Sequence, residues 1–109
     1  MMHARGMANQ LAHVSIGIAG ILGPEAAARI AATAEAAGFY GLWVNEIVGA
    51  DALGMLAAAA EATTTLQLAT GVIPVDRRPG SNIAAQVTSL GLPADRLMIG
   101  IGSGKPGVG

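Results

Sequence analysis

Two polar residues stand where a strand-like apolar run ends, and they have the clearest capacity for chemistry. The run "YGLWVNE" (40 to 46) closes on Asn45 and Glu46. A carboxylate at such a place can serve as a general acid or base, or bind a substrate hydroxyl; the alternative interpretation is a solvated loop carboxylate. His13 comes before the first apolar run, on the side opposite to where sites form, and His3 lies in the leader. Glu46 is therefore the candidate catalytic residue, and Asn45 the candidate substrate contact.

The glycine-rich stretch "MIGIGSGKPGVG" (98 to 109) is the second candidate, because such stretches bind phosphates in many proteins. A P-loop requires a first glycine and a hydroxyl residue after the lysine, and these two positions hold isoleucine and proline. The dinucleotide pattern G-x-G-x-x-G is present, but only two residues follow it, too few for the helix that would receive a pyrophosphate. We interpret the stretch as the glycine-rich end of a strand and rank a nucleotide-phosphate binder last.

Composition bounds the classes of function. The chain has 109 residues, enough for one domain with a hydrophobic core. Apolar residues make up 52 % and charged residues 12 %, against about 25 % charged in a typical domain, so we expect some apolar surface to meet a partner. The net charge is -1 and the six basic residues are scattered, which argues against nucleic-acid binding.

Several kinds of site lack the residues they need. Cysteine is absent, which removes disulfides and thiol catalysis, and the His, Asp and Glu residues show no metal-ligand spacing. No apolar run reaches the roughly 18 residues of a membrane-spanning helix. Arg77 and Arg78 could bind an anionic cofactor group, although adjacent arginines in a loop are more often solvated. These observations favour a cytoplasmic protein without metal, membrane or nucleic-acid partners.

Strand-like and helix-like segments alternate along the chain and must position these candidates. The predicted strands are 13 to 20, 40 to 46, 66 to 74 and 96 to 102. The first predicted helix opens at Pro24 and stops at Gly38, in agreement with the preferences of proline and glycine. Asp51 is the expected cap of the second helix, and Ser81 or Asn82 of the third.

Strands that alternate with helices predict right-handed crossovers and a parallel sheet, hence an α/β fold. Two architectures share this pattern, an open doubly wound sheet and a (β/α)8 barrel. Both place ligand sites at the carboxyl ends of the strands. The candidate positions are therefore the residues that end each run, at 19–20, 45–46, 70–72 and 102–104.

Four segments in order resemble the N-terminal half of the bacterial-luciferase-like family: "AEAAGFYGLWVNE" (34 to 46), "LQLATGVIPV" (66 to 75), "RRPGSNIAAQVTSLG" (77 to 91) and "DRLMIGIGSG" (95 to 104). The resemblance covers about residues 14 to 104. Members of that family are flavin-dependent monooxygenases or deazaflavin-dependent oxidoreductases on a (β/α)8 barrel. It implies that the cofactor is FMN or the deazaflavin coenzyme F420.

The resemblance also implies site residues. Thr70, Gly71 and Val72 match the positions that the family places against the isoalloxazine ring, often with a non-proline cis peptide. The turn from Gly102 through Ser103 to Gly104 matches a glycine-rich strand end that the cofactor approaches closely. The family's second strand usually ends in an acid followed by histidine; here Glu46 keeps the acid, and isoleucine replaces the histidine.

Chain length sets the last expectation. A barrel of this kind needs about 250 residues, so we expect a flexible leader over 1–12 and a partial barrel over 13–109 that is truncated after its fourth strand. The expected function is a flavin- or deazaflavin-dependent oxidoreductase of doubtful activity alone. The alternative is a non-catalytic half-barrel that covers its two unpaired sheet edges with another chain or a second copy.

Overall fold

The structure, a computed structural model, describes residues 11, 13–76 and 78–103. Four strands alternate with three helices in this part of the chain. The strands are β1 (Ser15–Ala19), β2 (Gly41–Asn45), β3 (Gln67–Pro74) and β4 (Leu97–Gly102). The helices are α1 (Gly23–Ala37), α2 (Ala52–Glu61) and α3 (Gly80–Leu90), and short 3-10 turns at Gly20–Leu22 and Ala94–Arg96 precede α1 and β4.

The strands form one parallel sheet in the order β1-β2-β3-β4. A doubly wound sheet would reverse its strand order at a switch point, whereas a sequential order with crossovers of one hand places every helix on the same face. This is the arrangement of a (β/α)8 barrel, of which the described residues form three β/α units and a fourth strand. The α/β prediction is thereby confirmed, and the sheet is consistent with half of such a barrel.

The core lies between this sheet and the helices. Alternate residues of the strands point into it, and the small residues of α1 let α2 approach closely. The fully buried apolar side chains of the strands are Leu42, Val44, Leu68 and Ile73. They pack against Ala27, Ala31 and Ala34 of α1 and against Leu53, Met55, Leu56 and Ala59 of α2.

Two of the helix ends predicted from the sequence are found in the structure, and one predicted helix start is not. Gly38 ends α1 in the left-handed conformation, with φ of 93°. Asp51 caps α2, because its carboxylate accepts from the Gly54 N–H at 3.1 Å. The cap predicted for α3 at Ser81 or Asn82 is wrong: α3 begins at Gly80, with Pro79 before it and no side-chain cap. The fixed φ of proline sets that entry, so a hydroxyl or amide cap is not needed there.

Two side chains, those of Glu35 and Arg96, bind the connection from α2 to β3 at the amino-terminal end of the sheet. The Glu35 carboxylate accepts from the N–H groups of Thr64, Thr65 and Leu66 at 2.7–3.2 Å, and from the Thr65 hydroxyl. The Arg96 guanidinium donates to the carbonyl groups of Ala60, Thr63 and Leu66. Backbone groups that would otherwise lack partners are thus satisfied by two side chains from distant segments.

These N–H donors favour the charged form of the Glu35 carboxyl group and lower its pKa to about 2. The N–H group of Thr65 contributes most to this shift. Stability from this group is complete above the ordinary carboxyl pKa and is lost as the pH falls toward 2.

We expect Glu35→Gln to lower the free energy of unfolding by about 1–2 kcal/mol at pH 7. The effect is modest because solvent reaches the half-buried carboxylate and weakens its interactions. The substitution should also flatten the fall in stability between pH 5 and pH 2. Urea unfolding at several pH values measures both effects. Glu25→Gln, on the exposed first turn of the same helix, is the matched control; an equal acid response in both variants would contradict the assignment.

Candidate functional site

The carboxyl ends of β2, β3 and β4 lie side by side at one edge of the sheet, and most of the candidate residues lie at this edge. The Glu46 N–H donates to the Val72 carbonyl at 3.3 Å, which joins the end of β2 to β3. The Val75 N–H donates to the Gly102 carbonyl at 3.0 Å, which joins β3 to the end of β4. The structure therefore brings Glu46, Val72 and Gly102 to one edge of the sheet.

Glu46 is buried at this edge and its carboxylate is fully engaged. It accepts from the Ala52 N–H at the start of α2 at 3.0 Å and from two guanidinium nitrogens of Arg78. The Glu46 side chain is 5 % exposed and that of Arg78 is 16 % exposed. Arg78 also contacts Asp51 at 3.1 Å and the amide oxygen of Gln86. In this arrangement Glu46 fastens the β2 end to α2 and to the connection before α3.

Thr70 does not point into the open face of the sheet. Its side chain is fully buried, and its hydroxyl both donates to the Gly100 carbonyl and accepts from the Gly100 N–H, each at 2.9 Å. These two bonds take the place of ladder bonds where the β3–β4 register is irregular, between Thr70 and Ile73. Thr70 thus shapes the strand, and its neighbours face the open side.

The peptide bond between Gly71 and Val72 is cis, as the resemblance implied for this position. Val72 is half-exposed and lies over β4: a Cβ on Gly102 would approach its Cγ2 to 2.9 Å. A Cβ on Gly71 would approach Cε3 of Trp43 to 2.6 Å, so the indole lies directly against that glycine. Glycine is required at Gly71 and Gly102 by these neighbours, independently of any ligand.

The remaining candidates fall into two groups. Asn45 and Ser103 are exposed at the ends of β2 and β4. Gly104 lies outside the described residues, as do the leader residues 1–10 and 12. A groove of about 370 Å³ lies on the helix side beside β1, away from this edge. A cleft of about 330 Å³ at the carboxyl edge includes Gly20, Asp51 and Gly54.

The open face suits a flat, mostly apolar group. In one register layer across the four strands it presents Gly17, Trp43, Ala69 and Met98. No charged side chain occurs in this layer, and a Cβ on Gly17 would meet nothing within 4 Å. A planar ring system fits such a surface, so the residues on this face are compatible with a flavin-type cofactor.

Sequence reasoning misjudged one residue of the candidate site and missed another. Arg78 was interpreted as a contact for an anionic cofactor group or, more often, a solvated loop residue; it binds Glu46, which is 32 positions away in the sequence. Trp43 was assigned only to a strand. The signal available for it was its place two residues before Asn45, which puts both side chains on the same face of β2.

Comparison with known proteins gives one family. The model of a family described as luciferase-like monooxygenase matches residues 6–108. No curated protein matches. A solved structure, the coenzyme F420-dependent tetrahydromethanopterin reductase from Methanopyrus kandleri, is similar with a TM-score of 0.74 and 24 % identity.

The structural match covers 87 % of this chain and 28 % of that reductase. The chain therefore spans less than a third of the solved relative, and the likeness concerns the fold. Within the described residues, no helix is both long and apolar enough to cross a bilayer.

Proposed function

The chain belongs to the luciferase-like monooxygenase family, and on that premise we propose that it is the cofactor-contacting half of a flavin- or deazaflavin-dependent oxidoreductase. The observation that carries the proposal is the carboxyl edge at Val72 and Gly102, which borders an open face that exposes the apolar side chains of Trp43, Val72 and Met98. FMN or F420 is the cofactor class that fits both the family and this surface. The absence of cysteine suits the reducing cytoplasm, where the proposal places the chain.

When bound, such a group supplies electrons for oxygen insertion or a hydride for reduction. The chain's own residues contribute contact and orientation. Gly71, Val72 and the turn from Gly102 through Ser103 to Gly104 are proposed to bind the ring. Asn45, exposed at the end of β2, is proposed to bind substrate.

Glu46 is proposed to act at this site chiefly by holding it in shape. Its carboxylate is occupied by Arg78 and by the Ala52 N–H. A direct role as general acid or base requires Arg78 to release it when substrate binds.

A second function is favoured by a separate observation. The described sheet leaves β1 and β4 each paired on one side only, and its open face carries the apolar side chains of Trp43, Val72 and Met98. Unpaired edges beside apolar surface are typical of interaction sites. The alternative is therefore a non-catalytic half-barrel that another chain or a second copy completes.

The proposed function predicts binding of a flavin-type cofactor by the 109-residue chain. Titration with FMN and with F420, followed through the cofactor's own absorbance and fluorescence, should reveal saturable binding of one of them. Val72→Asn should weaken that binding about tenfold or more, because an unpaired amide would be buried under the ring.

Leu90→Asn is the matched control, since Leu90 is 39 % exposed and Val72 40 %, but Leu90 lies at the end of α3. The control should bind as the unaltered chain does. Absence of binding at high micromolar cofactor would remove the enzyme proposal. A monodisperse dimer by light scattering, together with that absence, would favour the second function.

A further inference from the structure

We propose that the indole of Trp43 forms the floor against which the cofactor's ring system lies, and that Trp43 sets the affinity of the site for a flat aromatic group. The inference rests on the proposed function and deepens it. It is carried by the position of the indole, its contact with Gly71 and the small residues beside it.

Trp43 lies in the middle of β2, on the face opposite the helices. Its neighbours on that strand, Leu42 and Val44, are fully buried on the helix side, so the alternation of a strand turns Trp43 to the open face. The indole is 40 % exposed. A large aromatic side chain left in that state on a concave sheet face offers a preformed apolar contact surface.

The residues paired with Trp43 are small. Gly17 of β1 and Ala69 of β3 flank it in the register of the sheet. Neither of these paired residues has a side chain large enough to cover the indole. The indole stands above its neighbours, and a planar ligand on this face reaches it before it reaches their backbone.

The contact with Gly71 links the indole to the cofactor edge. A Cβ on Gly71 would lie 2.6 Å from Cε3, 3.2 Å from Cζ3 and 3.7 Å from Cδ2 of Trp43. The six-membered ring of the indole thus covers the open side of Gly71. A ring that lies against Val72 from the open face therefore meets the indole of Trp43 where it covers Gly71.

The chemistry of the two groups is complementary. Aromatic rings pack in offset or edge-to-face arrangements and gain stabilisation beyond the area that they bury. Indole is electron-rich and an isoalloxazine or deazaflavin ring is electron-poor, so offset packing of the two is favourable. Leucine at this position would keep apolar area and lose the flat ring, whereas phenylalanine would keep a flat ring.

The test compares Trp43→Phe, Trp43→Leu and the control Tyr40→Leu, which removes another exposed aromatic side chain, that of the residue just before β2 at the amino-terminal end of the sheet. Affinity for FMN and for F420 is measured through the cofactor's own absorbance, and thermal unfolding verifies that each variant folds. We expect Trp43→Leu to bind about 3- to 10-fold more weakly, Trp43→Phe to bind within about 2-fold of the unaltered chain, and Tyr40→Leu to bind as the unaltered chain does. Because the chain has a single tryptophan, quenching of its fluorescence should follow the same binding curve.

The outcomes distinguish a failure of the inference about Trp43 from a failure of the proposed function. Equal affinities for all three variants would overturn the role of Trp43 and leave the proposed function in place. If the unaltered chain binds neither cofactor, both are lost. If Trp43→Leu fails to fold, Trp43→Phe decides: binding retained with a perturbed cofactor spectrum supports the contact, and an unperturbed spectrum contradicts it.

Discussion

Replacement of Arg78 by methionine is expected to lower the free energy of unfolding by about 3–5 kcal/mol, the largest effect that the structure predicts. The reason is the burial of its partner. The Glu46 side chain is 5 % exposed, and without the guanidinium it would retain the Ala52 N–H as its hydrogen-bond donor. A buried carboxylate with one donor is costly, because water no longer solvates it.

Urea unfolding followed by circular dichroism measures the loss. Arg29→Met is the matched control, since Arg29 is exposed on α1 and should change stability by less than about 0.5 kcal/mol. The double variant Arg78→Met, Glu46→Gln should recover part of the stability, because the neutral amide still accepts from Ala52 and leaves no uncompensated charge. Equal stability of Arg78→Met and Arg29→Met would show that the buried pair is not formed.

Gly100→Ala is expected to destabilise the chain by about 2–3 kcal/mol, through overpacking at the β3–β4 junction. A Cβ on Gly100 would lie 2.4 Å from the Thr70 carbonyl oxygen, a backbone atom that cannot rotate away. It would also disturb the two bonds between the Thr70 hydroxyl and the Gly100 backbone.

The same substitution at Gly17 is the control. Gly17 is likewise inside a strand, and a Cβ there would meet nothing within 4 Å. Gly17→Ala should therefore be neutral or gain about 0.5 kcal/mol from the restricted unfolded chain. Thermal or urea unfolding of the pair separates steric conflict from the general effect of adding a methyl group; equal stabilities would contradict the close approach at Gly100.

Local signals in the sequence were enough to predict the repeating units. The apolar runs placed all four strands within about two residues, because buried parallel strands are continuous apolar segments. Gly38 and Asp51 were correctly assigned to helix ends for the same reason: their preferences act on the residues next to them. The choice between the two α/β architectures needed the strand order, which is a property of the whole sheet.

The site depended on contacts between distant segments, which no local pattern reports. Arg78 and Glu46 are 32 positions apart, and the loop around Arg78 carries nothing that marks it as buried. Trp43 and Gly71 meet only because β2 and β3 pair in one register. The start of α3 was misplaced because Ser81 and Asn82 both have side chains that favour a cap, whereas the helix begins directly after Pro79.

The fastening of α2 at both ends has a consequence for cooperativity. Its first N–H group, on Ala52, is held by Glu46 from the end of β2, and its last turn, through the Ala60 carbonyl, is held by Arg96 from just before β4. The helix, "ALGMLAAAAE", makes both contacts through its backbone, and its side chains are almost all apolar. Local opening of α2 therefore requires the release of its contacts with Glu46 and with Arg96. We expect the strands and helices of the described chain to open together as a single cooperative unit.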